Sequence, residues 1–333
     1  MRIATYNVEW FASLFDDAGH LLEDDDWSAR RDVTRRDQLN ALGAVFGALD
    51  ADAVMVVEAP DSHARRDGVA ALRNFAAHFG LRAREAVMGY VNQTQQEIAL
   101  LYDPDALEVR HDPLDLGAPR FDKQLRIDLD IDSAPETVRF SKPPLELAVT
   151  TRAGNRLRLI GVHVKSKAPH GARSAAEILR ISIANRRKQL AQCIWLRRRV
   201  EAQLARGDSL IVLGDFNDGP GLDEYEKLFG RSGVEIVLGI GEELQLHDPH
   251  AAAILSRPTL ARPSSARFRV PPDGRFLAAM LDYVMVSPDL AARYPAWRIW
   301  HPFEDPALFA DPDLRHALLT ASDHFPVSLD LDA

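Results

Sequence analysis

The sequence predicts an α/β protein folded as a single domain over residues 1–333, and three observations lead there. Strand and helix signals alternate through the first hundred residues, the pattern of βαβ units. Short apolar runs that read as buried strands recur to the end of the chain, around one long amphipathic helix. Composition is ordinary for a globular protein, with 46% hydrophobic and 27% charged residues, which excludes a disordered, collagenous or coiled-coil chain. A chain of 37.1 kDa has room for a large core. It keeps about 13,600 Å² exposed when folded, out of about 54,000 Å² unfolded.

Residues 2–7 are a β-rich run, Arg-Ile-Ala-Thr-Tyr-Asn. Residues 34–49 place Leu39, Leu42, Val45, Phe46 and Leu49 at helical spacing. Residues 53–57 are continuously apolar and read as a buried strand. Residues 65–79 are helical again, with Val69, Leu72, Phe75, Ala76 and Phe79 on one side, and 97–102 and 106–111 are strands around a turn at Pro104. Strands 145–151 and 156–164 are joined by Ala153-Gly154-Asn155, a hairpin signal. A long helix over 174–205 carries the stripe Leu179, Ile183, Leu190, Cys193, Leu196, Val200, Leu204 and stops at Gly207. Residues 209–213 form a buried strand, followed by a Gly/Pro/Asp loop and a short helix over 222–229. Strands 278–287 and 326–331 complete the order. Two stretches read as surface-loop insertions: acidic 13–32, and 257–274, rich in proline and arginine. No repeat of solenoid length and no interdomain linker is visible.

One cysteine, Cys193, excludes a disulfide framework and a cysteine-built zinc site. No run of 18 apolar residues is present, so no membrane-spanning helix is expected. The opening residues lack the apolar core of a signal peptide, which makes the cytoplasm the expected compartment. Net charge is −9, unlike the basic balance usual in proteins that grip nucleic acid mainly by charge. A local basic groove, or a metal that inverts the charge at a site, remains compatible with it. Nothing points to a protein partner.

Walker loop, dinucleotide glycine fingerprint, His-Glu-x-x-His and nucleophile elbow are all absent. What recurs is a buried strand that ends in a carboxylate, amide or histidine. The first strand ends at Asn7 with Glu9 beyond, the second at Glu58. A third ends at His163 with Lys165 and Lys167 following, and a fourth at Gly214-Asp215-Phe216-Asn217. Met280-Leu281 leads into Asp282, and Ser322-Asp323-His324 precedes the last strand. Any one of these is an ordinary turn residue. Six in one chain can converge if the strands share a core, and converging acids repel unless a cation joins them.

The series Thr5-Tyr6-Asn7, Val57-Glu58, Gly214-Asp215-Phe216-Asn217 and Ser322-Asp323-His324 resembles the endonuclease/exonuclease/phosphatase superfamily, in its order and along nearly the whole chain. Tyr6 stands where that superfamily often has Trp, and Val57 where Gln often precedes the Glu. The resemblance implies a DNase I-like fold, a four-layer α/β sandwich of two packed mixed β-sheets with helices outside. It also implies divalent-metal-dependent hydrolysis of phosphoric esters.

The roles it implies are these. Glu58 is the main metal ligand, with Asn7 beside it and Glu9 and Asp323 as further members. Oxygen donors of this kind suit Mg²⁺ or Mn²⁺. His324 acts as base or as electrostatic partner of the phosphate, and Asp282 fixes its tautomer. Asp215 orients or deprotonates the attacking water, Asn217 holds a phosphoryl oxygen, and His163 donates to the phosphate or the leaving group. Lys165 and Lys167 bind a further phosphate, while Arg139 and Lys142 are weaker candidates. Arg186, Arg187 and Lys188 on the long helix read as a solvated face. The leading expectation is a nuclease or phosphodiesterase acting on nucleic acid, with groove contacts available from Trp10, Trp27 and the arginines of 257–275. The alternatives are a phosphatase or phospholipase acting on inositol phosphates or sphingomyelin-type lipids, and a non-catalytic binding module.

Overall fold

The computed structural model describes residues 1–91, 94, 96–129, 135–169, 171–221, 230–256, 262–270 and 274–332. The predicted helix over 222–229 lies outside them. In chain order the strands are β1 (Arg2–Asn7), β2 (Ala53–Ala59), β3 (Glu85–Met88), β4 (Glu97–Tyr102), β5 (Leu107–His111), β6 (Leu125–Ile127), β7 (Glu136–Val138), β8 (Leu145–Thr151), β9 (Arg156–His163), β10 (Leu210–Asp215), β11 (Ala266–Val270), β12 (Arg275–Ala279), β13 (Asp282–Val286), β14 (Ala296–Ile299) and β15 (Val327–Asp330). The helices are α1 (Arg35–Leu49), α2 (Gly68–His78), α3 (Ala175–Ala205), α4 (Gly233–Leu238), α5 (Pro249–Ser256), α6 (Pro288–Ala291), α7 (Pro306–Ala310) and α8 (Pro312–Ala321).

Two mixed sheets pack face to face. One has the order β14-β15-β1-β2-β4-β3 and the other β13-β10-β9-β8-β5. β1 and β2 run parallel, as do β9 and β10, and the remaining pairs in both sheets are antiparallel. Side chains alternate across each strand. Ile3, Met55, Leu159, Ile211, Val284 and Val327 therefore fill the layer between the sheets. Their neighbours Ala4, Tyr6, Val54 and Val56 face α1, α2 and α8, and Ile160, Val162, Val212 and Tyr283 face α3, α4 and α5. The result is the four-layer α/β sandwich.

Helix starts coincide with capping residues. Thr34 accepts from the Asp37 N–H, Asp67 from those of Val69 and Ala70, and Ser174 from that of Glu177. The last β segment differs from expectation. Residues 278–287 are not one strand: β12 ends at Ala279, pairs only with β11, and the chain changes sheets through Met280-Leu281 before β13. The Ser265 hydroxyl oxygen accepts both the Leu281 and Asp282 N–H groups at that switch. The proline- and arginine-rich stretch is likewise not all loop, because its residues 266–270 are β11. β3, β14 and the β6–β7 hairpin carry too few residues for a periodic signal in the sequence.

Candidate active site

Alternation decides which polar ends meet. Asn7 lies an even number of residues from Ile3, His163 from Leu159, Asp215 from Ile211, and Asp282 from Val284. All four therefore point into the layer between the sheets. Strand order sets them side by side, since His163 pairs with Asp215 across β9–β10 and Asp215 with Asp282 across β10–β13. Asn7 reaches over from the other sheet, its Nδ2 donating to Asp215 Oδ2 at 3.1 Å. Gly214 makes the close approach possible: at φ 140° it sits where an added Cβ would lie 2.1 Å from the Val162 carbonyl oxygen.

Asp215 is held on every side. Its Oδ1 accepts the Asn217 N–H at 2.7 Å, and its Oδ2 accepts Asn217 Nδ2 at 2.9 Å. Asn217 manages both from a left-handed backbone, φ 50°. Asp282 Oδ2 lies 2.8 Å from His324 Nδ1 and accepts the Ser265 hydroxyl at 2.8 Å, while its Oδ1 is buried without a partner. His163 Nε2 is 3.6 Å from Asp215 Oδ2.

Glu58 arrives by a different device. By alternation it would face the helices. A bulge between Val57 and Ala59, with Glu58 at φ 60°, turns it instead to the cleft. One of its oxygens accepts the Trp10 N–H at 3.1 Å. The other has no hydrogen-bond partner among the described residues. Trp10 is itself left-handed, φ 61°, and its half-exposed ring lines the cleft. Glu9 also lines it, but pairs with Arg30 and accepts the Asp323 N–H.

Asn7, Glu9, Trp10, Glu58, His163, Asp215, Asp323 and His324 share an open cleft of about 550 Å³ with Lys142, Lys165 and Asn217, and Asp282 is buried behind His324. Lys142, weighed only weakly from the sequence, is central: its Nζ lies 3.1 Å from the His163 ring nitrogens. Lys167 does not line the cleft, because its Nζ bonds Asp218 Oδ1 at 2.6 Å. Arg139 bonds Gln124. Tyr6 turns away from the cleft and packs on Phe46 beneath α1.

The expected solvated face of α3 is corrected at its most basic point. Arg186 is 1% exposed and bonds the buried Asp218 at 2.6 Å. Arg187 pairs with Glu136, and Lys188 bonds Ser141. Sequence reading also missed Gln189. Its Nε2 donates to the carbonyls of Lys165 at 3.0 Å and Asn217 at 2.9 Å, tying together the two loops that carry His163 and Asp215. Arg186 Nη1 holds its other end.

The buried charges shift one another. Burial pushes the Asp215 carboxyl up to about 7, with the Asp282 carboxylate adding to the effect. Burial opposes charge on His324, but the Asp282 carboxylate beside it, with Asp215 and Asp323, holds its imidazole protonated well above the ordinary range. Burial, then the positive charge of Lys142, drives His163 well below it. So the cluster holds one cationic and one neutral imidazole. Burial lowers Lys142, against the pull of Glu58 and Asp215. Burial raises Glu9 to about 6, with Asp323 next in weight.

The residues present fit a divalent cation. Glu58, Asn7 and Asp323 all line the cleft and carry oxygen donors, and Glu58 keeps an oxygen without a partner among the described residues. Asp215, Asp282 and His324 bring their polar atoms within 4.8 Å of one another deeper in the cleft, but there the His324 imidazolium itself balances the carboxylates. The oxygen donors of Glu58, Asn7 and Asp323 favour a hard cation.

The sequence matches the Endonuclease/Exonuclease/phosphatase family over residues 4–324. The chain belongs to that family. It is therefore a member of a superfamily of phosphoesterases, typically dependent on a divalent metal. Solved structures agree on the fold. A 3′ phosphatase from Neisseria, NExo, bound to a product DNA hairpin, superposes with a TM-score of 0.52 at 17% identity over 100% of both chains. TDP2 from Caenorhabditis elegans gives 0.52 at 13% identity, over 100% of this chain and 74% of its own. A mannosyl-6-phosphatase from Bacteroides thetaiotaomicron gives 0.50 at 13% identity, over 100% of both. No curated protein matches the sequence significantly. Among the described residues no helix is long and apolar enough to cross a membrane.

Proposed function

We propose that this family member is a divalent-metal-dependent phosphodiesterase that cleaves nucleic acid. The observation that carries the reading is a convergence in one buried layer. A carboxylate held by two amides, Asp215, faces an imidazolium held by a second carboxylate, the Asp282–His324 pair, at the floor of an open cleft. A carboxyl whose pKa is raised to about 7 is matched to taking a proton from an attacking water near neutrality. The two amides leave Asp215 one orientation in which to do so. His324, kept protonated by Asp282, donates toward a phosphoryl oxygen and offsets the charge that develops there. Neutral His163 and cationic Lys142 and Lys165, which line the same cleft, serve the same oxygens. Mg²⁺ or Mn²⁺ held by Glu58, Asn7 and Asp323 would neutralise charge on the phosphoryl and leaving oxygens. Glu9, tied to Arg30, places Asp323.

The substrate class rests on neighbours of the same fold that act on DNA, including an AP endonuclease from Archaeoglobus fulgidus with a TM-score of 0.50, and on the Trp10 ring beside the cleft. The test is a panel with Mg²⁺ or Mn²⁺ and with EDTA: single-stranded and duplex DNA, RNA, bis(4-nitrophenyl) phosphate, hexose and inositol phosphates, and sphingomyelin vesicles. Oligonucleotides should exceed the phosphomonoesters and lipid at least ~10-fold in kcat/KM, with EDTA abolishing turnover. Preference for a phosphomonoester or the lipid would replace this reading with the phosphatase or phospholipase alternative.

A further inference from the structure

Many described arginines of this acidic chain are matched by a carboxylate, as Arg2, Arg36, Arg66, Arg82 and Arg158 are. Arg267 is not. It follows the first residue of β11, directly beside the Asp282–His324 pair. Its backbone N–H donates to the Asp323 carbonyl at 2.7 Å, and its neighbour Ala266 bridges to His324. Alternation puts its side chain on the face of the β11–β12 hairpin that also carries Arg269 and Phe276. There the guanidinium carbon lies 3.7 Å from the Phe276 ring centroid and 5.3 Å from that of Phe303. Phe276 is 55% exposed and Phe303 44%. Among the described residues the guanidinium donates no hydrogen bond and meets no carboxylate.

Two large rings remain in water around a cation whose N–H groups face solvent rather than a carboxylate of the described residues. Together they make a recognisable receptor. The rings hold the guanidinium plane, leaving its N–H edges free to grip an oxyanion in two-pronged fashion. The exposed ring faces suit an unstacked base. A duplex offers no such base, whereas a single strand does.

We propose that Arg267, Phe276 and Phe303 form a subsite for single-stranded nucleic acid flanking the scissile phosphate, with Arg267 on a neighbouring phosphate and a base stacked on the exposed rings. The proposal rests on the nucleic-acid reading above. Its position explains why the loop of Lys165 and Lys167 need not supply the flanking contact, since Lys167 is committed to Asp218.

The test uses a labelled single strand of about 12 nucleotides, within the span such grooves cover, and its duplex. Fluorescence anisotropy with Mg²⁺ in a His324→Ala background reads affinity, and kcat/KM for the oligonucleotide relative to bis(4-nitrophenyl) phosphate reads its use in turnover. Arg267→Ala should weaken single-strand binding ~10-fold and flatten the slope of log affinity against log salt by about 0.7, the value for one phosphate contact on a single strand. Phe276→Ala and Phe303→Ala should weaken binding about 5- to 10-fold at an unchanged slope, as expected for lost stacking. In the three variants the kcat/KM ratio should fall by the factor seen in binding. Unchanged affinity in Arg267→Ala, or equal losses on the oligonucleotide and the small diester, would overturn the subsite; the latter would show Arg267 acting only through the Asp323–His324 loop. Wild-type protein that neither binds nor cleaves any oligonucleotide, yet hydrolyses a phosphomonoester, would instead overturn the nucleic-acid reading, before any variant is compared.

Discussion

Replacing Asp282 with Asn removes one buried negative charge and almost no volume. Oδ2 of Asp282 contacts His324 and Ser265, and Oδ1 is buried without a partner. The Asn carbonyl can therefore keep both contacts, with its NH₂ where Oδ1 was. That orphaned donor costs about 1–3 kcal/mol, offset in part because a buried carboxylate no longer has to be desolvated. The fold should survive. The larger change falls on the imidazolium. Two unit charges about 4 Å apart attract by about 4 kcal/mol at the effective dielectric of a protein site, and the neutral hydrogen bond that remains returns about 1 kcal/mol. A net loss of about 3 kcal/mol corresponds to a fall in kcat of about 10²-fold. Steady-state turnover of bis(4-nitrophenyl) phosphate at saturating Mg²⁺, with a thermal melt as control, measures it. Because the pair acts as a unit, Asp282→Asn in a His324→Ala background should cost little beyond His324→Ala alone. Turnover within about threefold of wild type, or losses that add in the double variant, would refute the reasoning.

Three further outcomes are expected. Glu58→Gln should raise the Mg²⁺ concentration for half-maximal rate at least ~10-fold with an unchanged melting temperature, because a charged ligand is replaced by a neutral one; an unaltered metal titration would remove Glu58 from the ligand set. Gln189→Leu deprives the Lys165 and Asn217 carbonyls of their shared donor, and kcat should fall ~10-fold with KM changed less. A lower melting temperature with kcat intact would make Gln189 structural only. His250, with Nδ1 buried and unpartnered, is pulled by burial from 6.5 to about 4. A base depressed in the fold lends stability that is complete above pH 6.5 and is lost as pH falls through 4, by at most about 3 kcal/mol. Asp248 beside it, raised by burial to about 6, works in the opposite sense, so the comparison that isolates His250 is wild type against His250→Gln. Urea unfolding at pH 7 and pH 5 should show the variant losing about 2 kcal/mol less than wild type, and identical losses would show that His250 is not the group responsible.

What the sequence determined by itself is local. Apolar runs located α1, α3, β1, β4, β8, β9 and most of β10, with Gly207 marking the end of α3, because period and stop signals are properties of neighbouring residues. It also marked Asn7, His163, Asp215, Asp282 and His324 as polar residues next to buried strands, and the even spacing of Asn7, His163, Asp215 and Asp282 from apolar positions is written in the chain. Which ends meet was decided by strand order within each sheet and by the packing of the two sheets, which brings Asp215 and Asn7 together across 208 positions. Tertiary structure also reversed what local pattern implied. Alternation turns Glu58 toward the helices, and a bulge with a left-handed backbone turns it back. Arg186 and Lys167 read as solvated or ligand-binding cations until Asp218, 32 and 51 residues away, is folded against them. A run of strand-forming residues over 278–287 names no partner, so only the fold could split it between two sheets. The reason is common to all three. Side-chain period records which face a residue takes, whereas burial of a charge and choice of a partner depend on distant groups that become neighbours only when the chain is packed.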